Sequence, residues 1–297
     1  MTRHQGALLI AALVAGTACG DREPAPAAVT VAANRIDTVT SADRADIVYE
    51  VHGDSAGKPA IVLVHCWSCD RGYWYAQVEE LARDHKVVTI DLAGHGDSYP
   101  GTRSEFTTAS FGGDVAAVVG DLGWERVVLA GHSMGGGVIV EAARQLPGKV
   151  RGLIWVDAFH GIGGAQTPQA EMDAFLAPFD SNFVEQTRTF VRSMFPATAD
   201  SAVRDRVALD MSAAPPAVAT SAMRNAFRYD AMLPTALTEL QLPVVAINAD
   251  LFPTDTTSMR QHGVQVIIMS GVGHFLMMED PARFNELLRE ALDRMPR

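Results

Sequence analysis

Cysteine and basic residues are both scarce in this chain. Only 3 of its 297 residues are cysteine, which excludes a fold held by several disulfide bonds and a zinc site built mainly of thiolates. Lysine and arginine together number 24 against 35 acidic residues, and the formal net charge is -11. A nucleic-acid-binding protein would present a basic face, so this balance argues against a nucleic-acid partner. Apolar residues make up 48%, which is typical of a globular chain and not of a disordered one.

The first 18 residues have the layout of a secretory signal peptide. A positive residue, Arg3, precedes an apolar run over Ala7–Ala15, which is too short to span a bilayer as a permanent helix. Small residues before Cys19 also resemble the bacterial lipobox, although Gly16 stands where that motif usually has leucine. We therefore expect export, to the periplasm or as an outer-membrane lipoprotein whose membrane contact is a lipid anchor at Cys19.

Residues 19–34 are rich in proline and alanine and have no useful periodicity, so we interpret them as a flexible tether. If the signal is cleaved after Ala18 without lipidation, the same segment is a disordered start to the chain. The pattern of a folded domain begins near residue 35 and continues to residue 297.

Short apolar runs alternate with helix-sized segments along this domain. Uninterrupted runs such as Ala60–Val64 indicate strands covered on both faces, whereas Ile47–Val51 alternates like a half-buried strand. This alternation predicts an α/β fold, a mostly parallel sheet with helices on both faces. The predicted strands are Ile47–Val51, Ala60–Val64, Val87–Ile90, Val127–Ala130, Leu153–Val156, Val244–Ile247 and Val264–Met269, and the predicted helices are 73–83, 108–122, 134–146 and 281–294.

Residues 161–235 contain no strand-like run and interrupt this alternation. They hold helix-sized segments such as 181–194 and 199–213. A helical insertion after a strand would lie over the strand ends and cap a site beneath them. The alternative is a second packed helical layer with no gating role. The expected helix breaks are at Pro168, Pro178, Pro196 and Pro215-Pro216.

The strongest chemical signal is Gly131-His132-Ser133-Met134-Gly135, directly between a predicted strand and a predicted helix. The pattern G-x-S-x-G in this setting is the nucleophile elbow, a sharp turn that lifts the serine hydroxyl clear of the sheet. The helix N-terminus favours negative charge, and the backbone N–H of Met134 is placed to donate to an oxyanion. The alternative is a glycine-rich tight turn with an incidental serine.

A serine hydroxyl needs a base to become a good nucleophile, and His274 is the candidate. It lies in Gly271-Val272-Gly273-His274-Phe275, after the last predicted strand and before the final helix. Of the nine histidines, it alone combines a late position, a loop and flanking glycines. The alternative is a hydrogen-bonded loop histidine without a catalytic role.

The acid that would orient His274 has three candidates. Asp250 follows the predicted strand Val244–Ile247, Asp157 follows Leu153–Val156, and Asp255 lies farther along. All three precede His274 and so preserve the chain order serine, acid, histidine. We prefer Asp250, with Asp157 as the alternative and Asp255 as a third choice.

These motifs, in this order, resemble the α/β-hydrolase superfamily over nearly all of residues 45–297. The residues that carry the resemblance are Val64-His65, Asp91–Ser98, the elbow Gly131–Gly135, Gly273-His274-Phe275 and Glu279-Asp280-Pro281. The resemblance implies an eight-stranded, mostly parallel twisted sheet with an inserted helical cap over 161–235. In some members the acid follows the strand before the usual one, where Asp157 lies.

The resemblance also implies a second oxyanion donor after the early His65, which carries over to the N–H of Trp67. Cys66 stands where the family usually has glycine. With Cys69 it forms a C-x-x-C, and in an exported protein the pair would form a disulfide that makes this loop rigid. Two reduced, buried thiols are the alternative.

Together the residues predict hydrolysis of a carboxylic ester through an acyl-enzyme on Ser133, with a small-molecule substrate and no metal or organic cofactor. Lactone, amide and C–C bond hydrolysis and perhydrolysis would use the same residues. Serine at the elbow argues against epoxide or haloalkane hydrolysis, for which similar enzymes use aspartate there. From another class, the alternative is a non-catalytic ligand-binding protein with this fold.

Overall fold

The computed structural model describes residues 34–54, 57–165 and 167–296. The predicted signal peptide over 1–18, Cys19 and the predicted tether up to residue 33 lie outside the described residues. All described residues belong to one compact unit. Among them, no helix is both long enough and apolar enough to cross a lipid bilayer.

Eight strands form a single sheet. They are β1 (Arg35–Thr40), β2 (Asp46–His52), β3 (Ala60–Val64), β4 (Val87–Ile90), β5 (Val127–His132), β6 (Val150–Val156), β7 (Val244–Ala249) and β8 (Val264–Met269). Their order across the sheet is β1-β2-β4-β3-β5-β6-β7-β8. Strands β3 to β8 run parallel to one another, and β1 and β2 are antiparallel to their neighbours. The predicted eight-stranded, mostly parallel sheet is therefore confirmed.

The buried and exposed strands differ in how clearly the sequence predicts them. Every residue of β3, β4, β5 and β7 is buried, because parallel strands with helices on both faces have no solvent-facing side. Strand β1, in contrast, is exposed except for the half-buried Val39. A strand exposed on both faces shows no apolar alternation, which is why the pattern along the chain did not predict β1.

Eleven helices are found in the described part of the chain. They are α1 (Tyr75–Leu81), α2 (Thr108–Asp121), α3 (Met134–Gln145), α4 (Gln169–Ser181), α5 (Phe183–Arg192), α6 (Ser201–Met211), α7 (Pro216–Tyr229), α8 (Leu233–Leu240), α9 (Thr256–Gln261), α10 (Leu276–Glu279) and α11 (Pro281–Asp293). A 3-10 turn over Arg71–Trp74 precedes α1. The predicted helices 73–83, 108–122, 134–146 and 281–294 correspond to α1, α2, α3 and α11.

Helices α4 to α8 occupy the long interval between β6 and β7. The predicted boundary at residue 235 falls inside α8, which ends at Leu240. The predicted break at Pro178 is wrong, because α4 continues through this proline to Ser181. Pro178 lies in the last turn of α4, where its missing N–H removes a single hydrogen bond near the helix end.

The carboxyl ends of β3, β5 and β6 meet at one edge of the sheet, since these three strands run parallel. The segments that leave these ends carry Trp67, Ser133 and Asp157. Strand ends of parallel sheets are the usual position of binding sites in α/β folds. The strand order alone therefore places three of the predicted site residues at the same edge of the sheet.

Candidate active site

Ser133 lies at a sharp turn between β5 and α3. Its backbone has φ 53° and ψ -118°, a positive-φ conformation that non-glycine residues rarely adopt. The two flanking glycines are required by close approach. A Cβ on Gly131 would lie 2.2 Å from the carbonyl oxygen of Gly135, and a Cβ on Gly135 would lie 2.7 Å from that of His65. The Ser133 N–H donates to the Val156 carbonyl at 2.9 Å, which ties the turn to β6.

His274 lies in the loop between β8 and α10, and its ring contacts an acid. Its Nδ1–H donates to Oδ2 of Asp157 at 2.6 Å. Because Nδ1 carries the proton, Nε2 is left as the basic nitrogen. The ring of His132, the residue before Ser133, lies 4.7 Å from the His274 ring, centroid to centroid. The base candidate is thus packed against the elbow.

Four further hydrogen bonds, from three donors, fix the backbone around His274. The His132 Nε2–H donates to the His274 carbonyl at 2.8 Å, and the His274 N–H donates to the Met194 carbonyl at 2.9 Å. The Gly273 N–H donates to both carboxylate oxygens of Glu279 at 3.0 Å. The loop is therefore held by the elbow, by the segment after α5 and by the helix that follows it.

Asp157 is a buried carboxylate whose two oxygens are both used. Oδ2 accepts from His274, and Oδ1 accepts from the backbone N–H of Ala249 at 2.8 Å. Its backbone also adopts the left-handed region, with φ 44°. A buried carboxylate fixed at both oxygens is suited to hold one tautomer of a histidine and to stabilise its cation.

The structure reverses our preference between the candidate acids. Asp250 accepts from the Gly271 N–H at 2.9 Å, and Asp255 caps the N-terminus of α9 by accepting from Thr257 and Ser258. Neither carboxylate contacts His274. The reason is the strand order: β6, which Asp157 directly follows, pairs with β5, whereas Asp250 follows β7, one strand farther from the elbow.

The two predicted oxyanion donors, Met134 and Trp67, line the same cavity as Ser133 and His274. Within the described residues, neither backbone N–H has a protein acceptor. Cys66 and Cys69 form a disulfide, so of the two alternatives for this pair the structure has the cross-linked one. No hydrogen bond joins the Ser133 hydroxyl to His274 among the described residues, and such contacts often form only with substrate in place.

The cavity has a volume of about 430 Å³ and mostly apolar walls. Helices α4 to α7 and the segments around them contribute Phe175, Phe190, Met194, Met211, Met223 and Phe227. None of the described lining residues is lysine or arginine. Asp230, in contrast, lines the cavity, and desolvation raises the pKa of its carboxyl to about 6, although the residue as a whole is exposed. The described walls are therefore mostly apolar, with one acidic group and no lysine or arginine beside it.

Sequence patterning missed His160, which also lines this cavity. Its Nε2 lies 3.8 Å from Oδ1 of Asp157, and burial lowers the pKa of its imidazole. The signal available was its position three residues after Asp157, in the same loop. Among the described residues, no group of three or more histidine, cysteine or acidic side chains is arranged to hold a metal ion.

Comparison with known proteins adds three kinds of similarity. The sequence profile described as the alpha/beta hydrolase family matches residues 61–287. Non-heme chloroperoxidase of Streptomyces lividans is 35% identical over 124 residues, which is 41% of this chain and 44% of that protein. This chain matches its curated relatives over less than half of their own length.

Solved structures of similar fold cover most of the chain. The esterase RhEst1 of Rhodococcus sp. ECU1013 is 26% identical with a TM-score of 0.69, covering 88% of this chain and 99% of that one. Est816, described as an N-acyl homoserine lactone degrading enzyme, is 24% identical with a TM-score of 0.71, covering 86% of this chain and 99% of that one. The second similarity concerns the fold alone.

Proposed function

Because this chain belongs to the alpha/beta hydrolase family, we propose that it is a serine hydrolase that cleaves carboxylic esters through an acyl-enzyme on Ser133. The observation that carries the proposal is the 2.6 Å hydrogen bond between Asp157 and His274. This pair is packed against the elbow, and all three side chains line one cavity. A buried acid, an oriented imidazole and a serine on a strained turn form the arrangement that activates a hydroxyl.

The chemistry follows from the roles of these groups. Nε2 of His274 takes the proton of Ser133 as its Oγ attacks the ester carbonyl, and Asp157 stabilises the imidazolium that forms. The N–H groups of Met134 and Trp67 donate to the oxyanion. His274 then gives its proton to the leaving alcohol, and in the second half it activates the water that releases the acid.

The cavity walls support a preference for uncharged substrates. The aromatic and methionine side chains of these walls suit an apolar acyl or alcohol group. Asp230 would repel a carboxylate or phosphate on the substrate, because no lysine or arginine among the described lining residues balances it. We also propose that the helical segment between β6 and β7 acts as a cap, since α4 to α7 and the segments between them supply most of the aromatic and methionine side chains of these walls.

The test of the function is turnover of p-nitrophenyl acetate and butyrate by the full chain and by Ser133→Ala. We expect hydrolysis by the wild type and none above background for the variant. Ser193→Ala is the matched control, because Ser193 lines the same cavity while its hydroxyl is bonded to the Phe190 carbonyl at 2.6 Å. It should retain most activity.

Other outcomes of this test point to the alternatives. Equal rates for wild type and Ser133→Ala, with no lactone, amide or diketone substrate turned over either, would leave a non-catalytic ligand-binding role. Turnover of lactones in preference to linear esters would assign lactone hydrolysis to the same three residues. Hydrogen-peroxide-dependent formation of peracid would assign perhydrolysis.

We further propose that the protein is exported and that Cys19 is lipidated. The apolar run followed by small residues before Cys19 supports this proposal. Mass spectrometry of the mature N-terminus tests it. A diacylglyceryl cysteine at position 19 is expected, and an unmodified N-terminus at Cys19 or at Met1 would contradict lipidation.

A further inference from the structure

The loop after β3 contains a tight turn over Cys66, Trp67, Ser68 and Cys69. The Cys69 N–H donates to the Cys66 carbonyl at 3.3 Å, and the two cysteine side chains are joined by a disulfide. Ser68 adopts φ 55°, in the left-handed region that favours glycine. A non-glycine residue stays in this region only where its surroundings hold it there.

The peptide unit between Cys66 and Trp67 carries the proposed oxyanion donor. Its carbonyl oxygen accepts from Nδ1 of His65 at 2.7 Å, and Nε2 of the same ring accepts from the Leu92 N–H at 3.0 Å. No described peptide bond is cis, so the carbonyl and the N–H of this unit point in opposite directions. Holding the carbonyl against His65 therefore aims the Trp67 N–H away from that ring.

The side chain of Trp67 anchors the same unit on its other side. Its indole N–H donates to the Ala219 carbonyl in α7 at 2.7 Å. Its ring packs edge-on against Phe179, 5.9 Å away, and Phe190, 6.2 Å away, measured between centroids. These contacts fix the Trp67 side chain but leave the backbone conformation of the next residue, Ser68, to be explained.

The disulfide is a covalent constraint that closes the turn around Ser68. The Ser68 hydroxyl is buried and makes no hydrogen bond within the described residues, so the side chain does not hold its own backbone. The turn hydrogen bond, at 3.3 Å, is long. Cys66 and Cys69 are themselves buried, and Cys66 lines the cavity, so the cross-link adjoins the reacting groups.

We propose that the Cys66–Cys69 disulfide is a redox-sensitive positioning element, which holds the Trp67 N–H on the oxyanion and whose reduction lowers kcat. The proposal rests on the proposed function, because it concerns the same site. A small dithiol that enters the cavity breaks the S–S bond, supplies two electrons and two protons to the two sulfurs, and leaves as a cyclic disulfide. Ser68 can then leave the left-handed region, and the Trp67 peptide is held less tightly, by its contacts with His65 and Ala219 alone.

A transition-state donor that is loosely held affects kcat more than KM, because its interaction is made mainly with the oxyanion. Complete loss of one such donor costs about 10²–10³ in kcat. Reduction loosens the donor without removing it, and we therefore expect kcat to fall by about tenfold. Binding of a trifluoromethyl ketone, which forms an oxyanion on Ser133, should weaken by the same factor.

The experiment compares oxidised wild type, dithiothreitol-treated wild type, Cys66→Ser, Cys69→Ser and the double variant, with p-nitrophenyl butyrate as substrate. Alkylation and mass spectrometry of the peptide that holds both cysteines report their redox state, separately from Cys19. If the bond itself acts, either single variant and the double variant lose the same kcat, and the double variant does not respond to dithiothreitol. Thermal unfolding of each form checks that it is folded.

Several results would overturn the proposal. Fully reduced, folded wild type with unchanged kcat would do so, as would losses in the two single variants that add in the double variant, since additive losses reflect packing of each side chain. A rise in KM without a fall in kcat would indicate a pocket effect only. If oxidised wild type and Ser133→Ala do not differ, the proposed function has failed; if they differ but reduction has no effect, only the disulfide proposal has failed.

Discussion

Two turns at the same sheet edge each hold a serine at a positive φ, and they do so by different means. Ser133 in the elbow has φ 53°, and Ser68 in the loop after β3 has φ 55°. The elbow is held by backbone packing, since glycines at 131 and 135 let the chain approach itself more closely than a Cβ allows. The second turn has no glycine and is held by a disulfide and by its side-chain anchors.

The difference shows when a local sequence motif is enough to predict a backbone conformation. The elbow requires glycines two positions before and after Ser133, so it can be recognised from a pentapeptide between a strand and a helix. The turn over 66–69 departs from the family's usual glycine; it is closed by a disulfide and contacts α7 through the Trp67 indole. If this contrast is correct, changes at the elbow should cost more activity than changes at the second turn.

The largest effect should come from Asp157, the acid that orients the base His274, because catalysis at either turn depends on this base. Asp157→Asn is expected to lower kcat by about 10⁴, because the amide favours the wrong histidine tautomer and cannot stabilise the imidazolium. Steady-state kinetics with p-nitrophenyl butyrate measure this. Asp250→Asn is the control, and it should lose little. A larger loss for Asp250→Asn than for Asp157→Asn would restore our original preference.

Gly135→Ala should have the next largest effect, because its Cβ would press against the backbone at the end of β3, which leads into the second turn. The added Cβ would lie 2.7 Å from the His65 carbonyl and 2.8 Å from that of Val64, and neither backbone atom can move freely. Displacing both oxyanion donors should lower kcat by about 10²–10³, and overpacking should destabilise the fold by about 1–3 kcal/mol.

The control for this glycine lies in α2. A Cβ on Gly120 meets nothing within 4 Å, and its helical backbone suits alanine. Gly120→Ala should therefore stabilise the fold by about 0.5–1 kcal/mol without changing kcat. Urea unfolding and kinetics measure both variants, and equal behaviour of the two would contradict the importance of close packing at the elbow.

Trp67→Phe tests the side-chain anchor of the second turn and should act more weakly. It removes the hydrogen bond to Ala219 while keeping most of the aromatic packing. Losing one such bond should cost about 1 kcal/mol of stability, and kcat should fall several-fold with KM nearly unchanged. Trp124→Phe, which alters a half-buried tryptophan outside the cavity, should leave kcat unchanged. If Trp67→Phe lowers kcat as much as Gly135→Ala does, the contrast between the two turns is wrong.

The smallest effect is expected at Asp230, which contacts neither turn and should alter selectivity alone. Since the pKa of this carboxyl is raised to about 6, it is ionised at pH 8 and neutral well below pH 6. Wild type should therefore discriminate against an ester with a terminal carboxylate at pH 8, and less so as the pH falls through 6. Asp230→Asn should remove this pH dependence, measured as the ratio of kcat/KM for p-nitrophenyl hemiglutarate and butyrate.

The control for Asp230 is Asp180→Asn, an exposed carboxylate on α4 that does not line the cavity. It should keep the wild-type ratio at every pH. If Asp230→Asn and wild type discriminate equally at pH 8, the carboxylate does not face the substrate. If Asp180→Asn behaves like Asp230→Asn, the effect comes from the overall charge of the protein.

Much of the fold follows from local pattern, and the exceptions have physical causes. The buried parallel strands are visible as apolar runs because both of their faces are covered. Strand β1 is not, because it is exposed on both faces. Pro178 does not break α4, because it falls in the last turn of that helix.

The site residues likewise fall into those that local sequence predicts and those that it does not. Ser133, Met134 and His274 have flanking residues that identify them, so the sequence predicted their place in the cavity. The choice between Asp157 and Asp250 depends on which strand pairs with β5, a long-range property that neither aspartate's neighbours encode. The Trp67 indole bond was missed for the same reason, since its acceptor, Ala219, lies in α7. His160 is a different case, because its partner Asp157 is only three residues away and the local signal was overlooked.

The central claim is that Ser133 is a nucleophile activated by His274 and Asp157, and labelling with a fluorophosphonate tests it most directly. The account predicts one phosphonyl adduct per chain, located at Ser133 by peptide mass spectrometry, with a labelling rate that falls sharply in His274→Ala and Asp157→Asn. An adduct on another residue, no adduct on folded protein, or labelling of Ser133 at the same rate in all three proteins would contradict it.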